Sequence, residues 1–328
     1  MSTKYRLTIT ILLAALLAGG NAQATGVVVK GSVFGGGNEA SVNINTSVVI
    51  SAGAVEGNVY GGGNLGDVGT HANQTPASVG NYNWTANTGL SQVTISGGTV
   101  GVEDPAEPKE HGNVFGGGKG SATTFECEKG MVFNTDVSIN TSASVKGNVY
   151  GGGEVSRVEN NTEVTIGTES GEDVPIIEGS VFAAGAGINT HGYSALVRGT
   201  STVTVQGSAQ VKKNVYGGGE LASVGRYKVK TPANEEDDDV PATLPYGMPA
   251  RLIGGGTSTV TIQDNAVIGT DNVTTTGHVY GAGQGLEPSY TYNAYTETDS
   301  YATRITNSKR MVAYTSSTAH PDNKQYTE

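Results

Sequence analysis

Short segments in which a β-branched residue alternates with a second residue type recur six times along the chain. They are Val48–Ile50, Val93–Ile95, Val137–Ile139, Val164–Ile166, Val203–Val205 and Val260–Ile262. A period of two places the first and third residues on one face of a strand and the middle residue on the other. The pattern therefore predicts six equivalent β-strands, in which, for example, Val48 and Ile50 share one face and Val49 lies opposite.

A glycine-rich octapeptide of the form GNVYGGGN follows most of these segments and occurs seven times. Its copies begin at Gly31, Gly57, Gly112, Gly147, Gly179, Lys213 and Gly277. Small residues and a short valine-containing strand lie between segment and octapeptide, as in SAGAVEGNVY. Because glycine accepts backbone conformations that are closed to other residues, each triplet is expected to form a tight corner.

Repetition on this scale is typical of stacked units, none of which buries its apolar face alone. Short strands, small-residue corners and insertions of variable length together predict an all-β, right-handed parallel β-helix, or β-solenoid, over residues 25–286. The stretches 65–91 and 226–256 are predicted side loops, and the second is a flexible acidic insert. Residues 287–328 are polar and rich in tyrosine and threonine, and form either an irregular segment or part of a truncated further coil.

An aromatic residue occupies the same position in every octapeptide. The seven are Phe34, Tyr60, Phe115, Tyr150, Phe182, Tyr216 and Tyr280. In a register-matched stack they would form a ladder, one ring per coil. Valine precedes each ring, so the rings point outward if the valines face the core. Either they cover a sheet face and fill the room left by the glycines, or they form a stacking platform for sugars or a partner. Interchange of Tyr and Phe favours the first role.

The first 24 residues have the three regions of a secretory signal peptide. Lys4 and Arg6 form a positive region, Leu7–Leu17 is almost entirely apolar, and Ala22-Gln23-Ala24 provides small residues for cleavage before Thr25. The apolar run is too short to span a bilayer. We therefore expect export to the extracellular space or cell surface, or to the periplasm, with no stable membrane insertion after cleavage.

Composition and charge narrow the possible partners. Two of the 19 Lys and Arg residues and none of the 30 Asp and Glu residues precede position 25, so the mature net charge is 17 − 30 = −13. This balance argues against nucleic acid and anionic membranes, which are polyanions. Glycine supplies 50 of 328 residues, about twice the usual share, which suits strands joined by tight corners. Cys127 is the single cysteine, so no internal disulfide is expected.

The signal peptide, the V-T-I strands and the GNVYGGGN blocks together resemble the adhesin-like, glycine-rich repeat proteins that gut and oral bacteria export. The resemblance covers roughly residues 31–286, and the GNVYGGG block is its most specific part. It implies a secreted or surface-exposed protein with a β-helix-like repeat region. The chain is short for that group.

β-Helix folds also host polysaccharide-degrading enzymes, whose catalytic motifs would identify such an activity in the sequence. Asn134-Thr135-Asp136 resembles the first catalytic motif of polygalacturonases, but the further motifs of that family are incomplete. Asp136 also stands directly before a V-x-I segment, at the position that Gln92 and Glu163 occupy in other repeats. Asp136 is therefore expected to be an exposed residue beside the strand and not a catalytic one. The five histidines lie too far apart for metal-ligand spacing. No catalytic residue, metal or cofactor is therefore predicted.

The expected function is that of a secreted or cell-surface structural protein of adhesin-like character. It would bind glycans or host or bacterial surface components through side loops or the outer face of the coils. Two alternatives stay open, a carbohydrate-binding β-helix that uses the aromatic ladder, and a polysaccharide-degrading β-helix enzyme. Uncapped ends of a solenoid expose strand edges, so end-to-end self-association is also expected.

Overall fold

The computed structural model describes an all-β chain, which confirms the predicted class. The description covers residues 7–11, 26–73, 82–102, 112–122, 128–188, 194–230, 236–240, 242 and 249–285. Among these residues, no helix has the length and apolar character needed to cross a membrane. Cys127 and the predicted C-terminal segment 287–328 lie outside the described residues.

Three parallel sheets of seven strands each contain most of the regular structure. Numbered in chain order, sheet one contains β1 Leu7–Ile11, β4 Thr46–Ile50, β9 Leu90–Ile95, β12 Asn134–Ile139, β15 Thr162–Ile166, β18 Ser201–Val205 and β23 Ser258–Ile262. Sheet two contains β2 Val28–Val29, β5 Ala54–Val55, β10 Thr99–Val100, β13 Ser144–Val145, β16 Ile176–Ile177, β19 Gln210–Val211 and β24 Val267–Ile268. Sheet three contains β3 Val33–Phe34, β6 Val59–Tyr60, β11 Val114–Phe115, β14 Val149–Tyr150, β17 Val181–Phe182, β20 Val215–Tyr216 and β25 Val279–Tyr280.

Each repeat unit contributes one strand to each sheet in the same order, and neighbouring strands in a sheet come from consecutive units. We call the three strands of one unit a layer, so layer one is β1 to β3 and layer seven is β23 to β25. The register is identical residue by residue, with Val48 opposite Val93 and Ile50 opposite Ile95. The six alternating segments found in the sequence are therefore equivalent strands of one sheet.

Valine and isoleucine from all three sheets form the main core. Val48 and Ile50 are 0% and 1% exposed, whereas Val49 on the opposite face is only half-buried, as the alternation predicts. The valine of each octapeptide, such as Val59 or Val114, lies in the same core. Period-two alternation thus directs one face of each long strand inward.

The glycine triplets are needed for close packing and not, as the sequence suggested, for unusual backbone conformations. No described triplet glycine has a positive φ. A Cβ on Gly118, the third glycine of its triplet, would lie 2.3 Å from the carbonyl oxygen of Gly130 and 2.8 Å from that of Gly63. The turn that follows the triplet and the preceding layer both lie too close here for a side chain. Ala183, Ala184 and Ala282 occupy the first two triplet positions in some copies, but the third is glycine in all seven.

The asparagine of the octapeptide joins adjacent layers through its side chain. Asn58 Oδ1 accepts a hydrogen bond from the Asn113 backbone N–H at 2.9 Å, and Asn113 Oδ1 accepts from the Asn148 N–H at 2.8 Å. Asn148 Oδ1 accepts in the same way from Ser180, whose own hydroxyl accepts from the Asn214 N–H at 3.3 Å. The asparagine therefore satisfies a backbone donor of the next layer, a role that the sequence motif alone did not reveal.

We expect Asn113→Ala to lower the free energy of unfolding by about 1 kcal/mol, because the Asn148 N–H loses its acceptor in a partly buried position. Asn113→Ser should cost less, since serine fills the same slot at Ser180 and its hydroxyl accepts there. Urea-induced unfolding followed by circular dichroism measures both. An alanine variant as stable as the serine variant would contradict this role.

A buried hydroxyl closes each of layers two to six at the start of its sheet-one strand. Thr135 Oγ1 donates to the Gly151 carbonyl at 2.6 Å, and Ser91 Oγ donates to the Gly116 carbonyl at 2.6 Å. Thr162 makes the equivalent bond to Ala183. The polar residues that begin these strands therefore bind the glycine triplet of their own layer.

The predicted side loops carry antiparallel hairpins. In the first, β7 His71–Asn73 pairs with β8 Tyr82–Trp84. In the second, β21 Arg226–Val229 pairs with β22 Pro249–Gly254.

Part of the predicted acidic insert is held by ion pairs. Lys228 Nζ lies 2.7 Å from Asp237 and 2.9 Å from Asp239, and hydrogen bonds from Lys228 are the main cause that lowers the pKa of both carboxyls. Residues 231–235, 241 and 243–248 of the insert lie outside the described residues, so its predicted flexibility stays a prediction.

Within the predicted signal peptide, Leu7–Ile11 forms strand β1 at the N-terminal edge of sheet one. Its backbone pairs with β4 in the register of the later layers, Ile9 opposite Val48 and Ile11 opposite Ile50. The other residues before position 26 lie outside the description. An apolar stretch with alternating threonines thus satisfies the strand pattern as well as the pattern of an export signal.

Candidate functional site

The seven aromatic rings of the octapeptides stack directly on one another along sheet three. Centroids of adjacent rings lie 4.6–5.0 Å apart, and their planes deviate from parallel by only 2–9°. This separation matches the spacing of paired strands. The in-register pairing of β3, β6 and the later strands of sheet three therefore brings all seven predicted site residues together.

The rings point away from the valine core, yet most of them are covered. Tyr60, Phe115, Tyr150, Phe182 and Tyr216 form a separate buried cluster and are 1–7% exposed. Phe34 is partly buried, and only Tyr280 in layer seven is 43% exposed. A sugar must reach an open ring face in order to stack on it. The inner rings offer no such face, so the geometry favours the structural role of the ladder.

Residues four positions after each ring provide part of this cover. They pair from layer to layer, as Lys119 does with Glu154. Lys119 Nζ lies 5.9 Å from the centre of the Tyr60 ring, and Ala186 packs against the ring cluster. The chain beyond each glycine triplet therefore contacts the ladder and separates much of it from solvent.

Tyrosine and phenylalanine are not interchangeable in this ladder. The Tyr60 hydroxyl donates to Glu154 and the Tyr150 hydroxyl donates to Glu220, in each case two layers further along the stack. Asn148 Nδ2 donates to the Tyr150 hydroxyl at 2.9 Å. Phenylalanine occupies layers one, three and five, so tyrosines of even layers bond across a layer that has no hydroxyl. Interchange of Tyr and Phe still favours the structural role of the rings, but it gave no sign that the hydroxyls of Tyr60 and Tyr150 bond between layers.

The environment keeps two ladder hydroxyls protonated. Burial, followed by the nearby Glu154 carboxylate and the hydrogen bond to it, raises the pKa of Tyr60 far above its ordinary value of 10.0. Burial and Glu220 raise the pKa of Tyr150 in the same way. Both hydroxyls therefore act as hydrogen-bond donors, and neither is suited to act as a base near neutral pH.

We expect the fold to lose stability as the pH rises above about 10, the pKa of tyrosine in the unfolded chain. Below that pH both states hold the proton and the stabilisation is complete; above it the unfolded state releases a proton that the folded state retains. An alkaline titration followed by circular dichroism measures the effect. The double variant Tyr60→Phe, Tyr150→Phe should show a shallower alkaline decline, and an unchanged slope would contradict the assignment.

A second group of functional side chains, which the sequence did not reveal, surrounds the hairpin of β7 and β8. We call it the hairpin cluster, and it consists of Asp67, His71, Tyr82, Trp84, Glu128, Arg157, Glu159 and Arg198. Its aromatic part lies on the hairpin itself. The His71 ring centre is 4.6 Å from those of both Tyr82 and Trp84. His71 Nε2 lies 3.0 Å from Asp67 Oδ2, which anchors the hairpin to layer two.

Charged side chains form the base of the hairpin cluster. Arg157 lies 2.8 Å from one oxygen of Glu159, and Arg198 lies 3.0 Å from the other. Arg157 also lies 3.2 Å from Glu128, whose second oxygen accepts the Tyr82 hydroxyl at 2.9 Å. Burial and Glu128 together raise the pKa of Tyr82. The carboxylates and guanidinium groups neutralise one another and connect the hairpin to layers four and five.

Solvent exposure distinguishes the hairpin cluster from the aromatic ladder. Tyr82, Trp84 and His71 are each partly exposed on an insertion that belongs to none of the three sheets. The indole N–H of Trp84 is buried and has no hydrogen-bond partner among the described residues. The single tryptophan of the chain, placed in a side loop, was the signal that sequence reasoning could have used.

Asp136, which resembles part of a catalytic motif, lies on the outward-facing side of sheet one. Asp136 lies opposite Gln92 and Glu163 in sheet one, as the sequence slot predicted, and accepts a hydrogen bond from Gln92 at 3.1 Å. Within the described part of the chain, no three His, Cys, Asp or Glu side chains are grouped closely enough to hold a metal ion. His111, His191 and His320 lie outside that part.

The residues that carry the resemblance to glycine-rich adhesin-like proteins have structural roles here. The triplets allow close approach of layers, the asparagines bond between layers, and the aromatic rings stack. No protein-family model, no curated protein and no solved structure matches the chain.

Proposed function

We propose that the chain is a secreted or cell-surface structural repeat protein of adhesin-like character, built as a right-handed parallel β-solenoid and acting without catalysis. Support for the solenoid comes from the three sheets, to which each unit adds one strand in constant order. Parallel strands joined by a crossover are right-handed in nearly all proteins, which supports the hand. Side chains that could perform chemistry mostly bond between layers, which supports a structural role.

Disulfide trapping tests the layered arrangement. Thr94 and Ser138 are partners in adjacent strands of sheet one, whereas Thr94 and Thr165 lie two strands apart, about 9.6 Å. In a Cys127→Ser background, Thr94→Cys with Ser138→Cys should form a disulfide on mild oxidation. Thr94→Cys with Thr165→Cys should not, because Cα atoms more than about 7 Å apart cannot be bridged. Equal bridging in both variants would overturn the arrangement, and a crystal structure gives its hand directly.

We further propose that the hairpin cluster, rather than the aromatic ladder, is the binding surface. The observation that carries this proposal is the contrast in exposure: the inner ladder rings are buried, whereas Tyr82 and Trp84 are partly exposed on a side hairpin. Tryptophan, tyrosine and arginine are the residues most enriched among those that dominate binding energy. Glu128, whose side chain is 36% exposed and accepts the Tyr82 hydroxyl, provides a carboxylate acceptor for a hydroxyl-rich ligand beside these rings.

Glycans, either free or on host or bacterial surface proteins, are the partner class that fits this surface. Their uncharged rings carry many hydroxyl groups, and a protein with a net charge of −13 after cleavage does not repel them. Nucleic acid does not fit, because its phosphates would be repelled by that charge. The proposal is thus a glycan-binding hairpin displayed on a rigid repeat scaffold.

Binding of the purified chain to immobilised glycans and mucin glycoproteins tests this function. Trp84→Ala should weaken binding at least about tenfold, the equivalent of 1.4 kcal/mol. Asn83→Ala, at the exposed position between Tyr82 and Trp84 on the same strand, is the matched control and should bind as the unaltered chain does. Binding that survives Trp84→Ala but is lost in Tyr280→Ala would instead favour the ladder. Binding to none of these surfaces would overturn the proposal.

A further inference from the structure

Both side hairpins are inserted at the same point of the repeat unit. A column of valines runs along the stack beyond the glycine triplets, with Val158 paired to Val197 and Val197 to Val224. The insertion that carries β7 and β8 follows Val68 of this column, and the insertion that carries β21 and β22 follows Val224. After Val158 and Val197, by contrast, only three residues lead into the next strand of sheet one. The two hairpins therefore leave the stack along one edge.

A pair of touching glycines forms the base of each hairpin. Gly69 and Gly89 both have positive φ angles, and a Cβ on Gly69 would lie 2.5 Å from the Gly89 Cα. Gly225 and Gly256 also have positive φ angles, and a Cβ on Gly225 would lie 3.0 Å from the Gly256 Cα. Because the two ends of each insertion meet, the hairpin projects from the edge without interrupting the stack. The first base follows layer two and the second follows layer six, so four layers, or about 19 Å, separate them.

The β21–β22 hairpin exposes an apolar face. Tyr227 of β21 lies opposite Leu252 of β22, so the two side chains share one face of the hairpin. Tyr227 is half-buried, and Leu252 is 47% exposed. Lys228 and Arg251 form the next pair, on the other face, and both form ion pairs with Asp239. One face of this hairpin thus carries ion pairs, whereas the other presents an aromatic ring and an aliphatic side chain to solvent.

The edge between the two hairpins is polar and carries little net charge. Its side chains come from the short connections that follow layers three, four and five, and include Asn134, Asn160, Asn161, Arg198 and Thr200. Asn160 Nδ2 donates to Asn134 Oδ1 at 3.0 Å, and no described residue bonds to the other polar group of either amide. The charge of Arg198 is neutralised by Glu159. This part of the edge therefore offers amide groups, and no excess charge, to a partner.

A linear, uncharged polysaccharide is the partner that fits this edge. Sugar rings stack on the faces of aromatic side chains, and sugar hydroxyls exchange hydrogen bonds with amides. A linear chain of sugars contacts both hairpins at once, whereas a disaccharide is too short to bridge about 19 Å. A polyanionic chain does not fit, because the negative net charge of the protein would repel it. Two linked contacts also raise the affinity for one chain well above that of either contact alone.

We propose that the two hairpins form one extended binding surface for a linear, uncharged polysaccharide, which lies along the edge of the stack from the hairpin cluster to Tyr227 and Leu252. The inference deepens the proposed glycan-binding function and rests on it. Its new element is the β21–β22 hairpin, which sets a minimum length for the glycan, because the chain must span four layers to reach both contacts.

Comparison of each polysaccharide with its own disaccharide tests this span. The probes are soluble xylan with xylobiose and soluble mannan with mannobiose, and calorimetric titration measures their binding. The polysaccharide should bind at least about tenfold more tightly than its disaccharide, at equal concentration of sugar residues. Tyr227→Ala and Leu252→Ala should each remove most of this advantage and leave disaccharide binding unchanged. Arg251→Gln, on the other face of β22, is the matched control and should leave the binding of both probes unchanged.

Hydroxyl-radical footprinting of the unaltered chain gives a second measurement that needs no substitution. Bound polysaccharide should protect Tyr82 and Trp84 on the first hairpin as well as Tyr227 and Leu252 on the second. Bound disaccharide should protect only the first two. A polysaccharide that binds and leaves Tyr227 and Leu252 unprotected would contradict the proposal, even where a hairpin variant is too unstable to purify.

The failure of this inference is distinguishable from the failure of glycan binding. If Trp84→Ala weakens both probes but polysaccharide and disaccharide bind the unaltered chain equally tightly, the hairpin cluster binds glycans without the second hairpin, and the inference alone is wrong. If neither probe binds, or if Trp84→Ala changes nothing, glycan binding by the hairpin cluster is itself overturned, and the inference falls with it.

Discussion

Gly118→Ala is expected to lower the free energy of unfolding by about 3 kcal/mol, the upper end of the cost of forcing extra atoms into a packed interior. The new Cβ would lie 2.3 Å from the Gly130 oxygen and 2.8 Å from the Gly63 oxygen. Both are backbone atoms, so no side-chain rotation relieves the contact. The turn that carries Gly130 and the layer that carries Gly63 must both move away, which weakens the backbone hydrogen bonds around the triplet. Urea-induced unfolding followed by circular dichroism measures the loss.

Gly281→Ala is the matched control from the same motif. Gly281 is the first glycine of the last triplet, has an ordinary backbone conformation, and a Cβ there would meet no atom within 4 Å. The substitution should change stability by less than about 0.5 kcal/mol. Equal losses in both variants would show that the triplets act through backbone flexibility and not through close contact between layers.

Glu159→Gln is expected to cost about 3 kcal/mol, because it leaves two guanidinium groups in a buried site without their shared counter-charge. The Glu159 side chain is 2% exposed and lies between Arg157, 5% exposed, and Arg198, 13% exposed. Glutamine has the same shape, so the packing is preserved and only the charge is lost. Removal of one partner of a buried ion pair is far more costly than removal of an exposed one.

The corresponding surface variant is Glu56→Gln. Glu56 pairs with Lys30, whose side chain is 80% exposed, so this substitution should change stability by about 0.5 kcal/mol or less. Thermal or urea unfolding of the two variants side by side measures the difference. A Glu159→Gln variant as stable as Glu56→Gln would contradict the role of the hairpin cluster in anchoring β7 and β8.

The protein is stabilised along the stack by a few contacts that recur from layer to layer. Each layer is bonded to the next by an asparagine or serine side chain of the octapeptide, by the aromatic ring and by the backbone pairing of three strands. A substitution within one layer therefore acts on two contacts, above and below. The hairpin cluster differs, because it joins layers two, four and five to an insertion outside the sheets.

The amino-acid sequence by itself determined the strands and their equivalence. Period-two alternation at Val48–Ile50 gave the buried face correctly, and the repeated slot before V-x-I correctly placed Asp136 beside Gln92 and Glu163. Such local patterns suffice because side-chain direction in a strand depends only on position along the chain, and because identical units stack in identical register.

Only the tertiary structure decided what covers each strand. The sequence correctly directed the ring of Tyr150 away from the valines. Its burial depends on residues that follow the glycine triplets of other layers, such as Glu220, two layers away. The hairpin cluster likewise joins Asp67, Arg157 and Arg198 from distant units. The glycine triplets show the same limit. The sequence shows that these positions lack a side chain, but it does not show why. The reason is the short distance to backbone atoms of other parts of the stack, and those contacts form only when the chain folds.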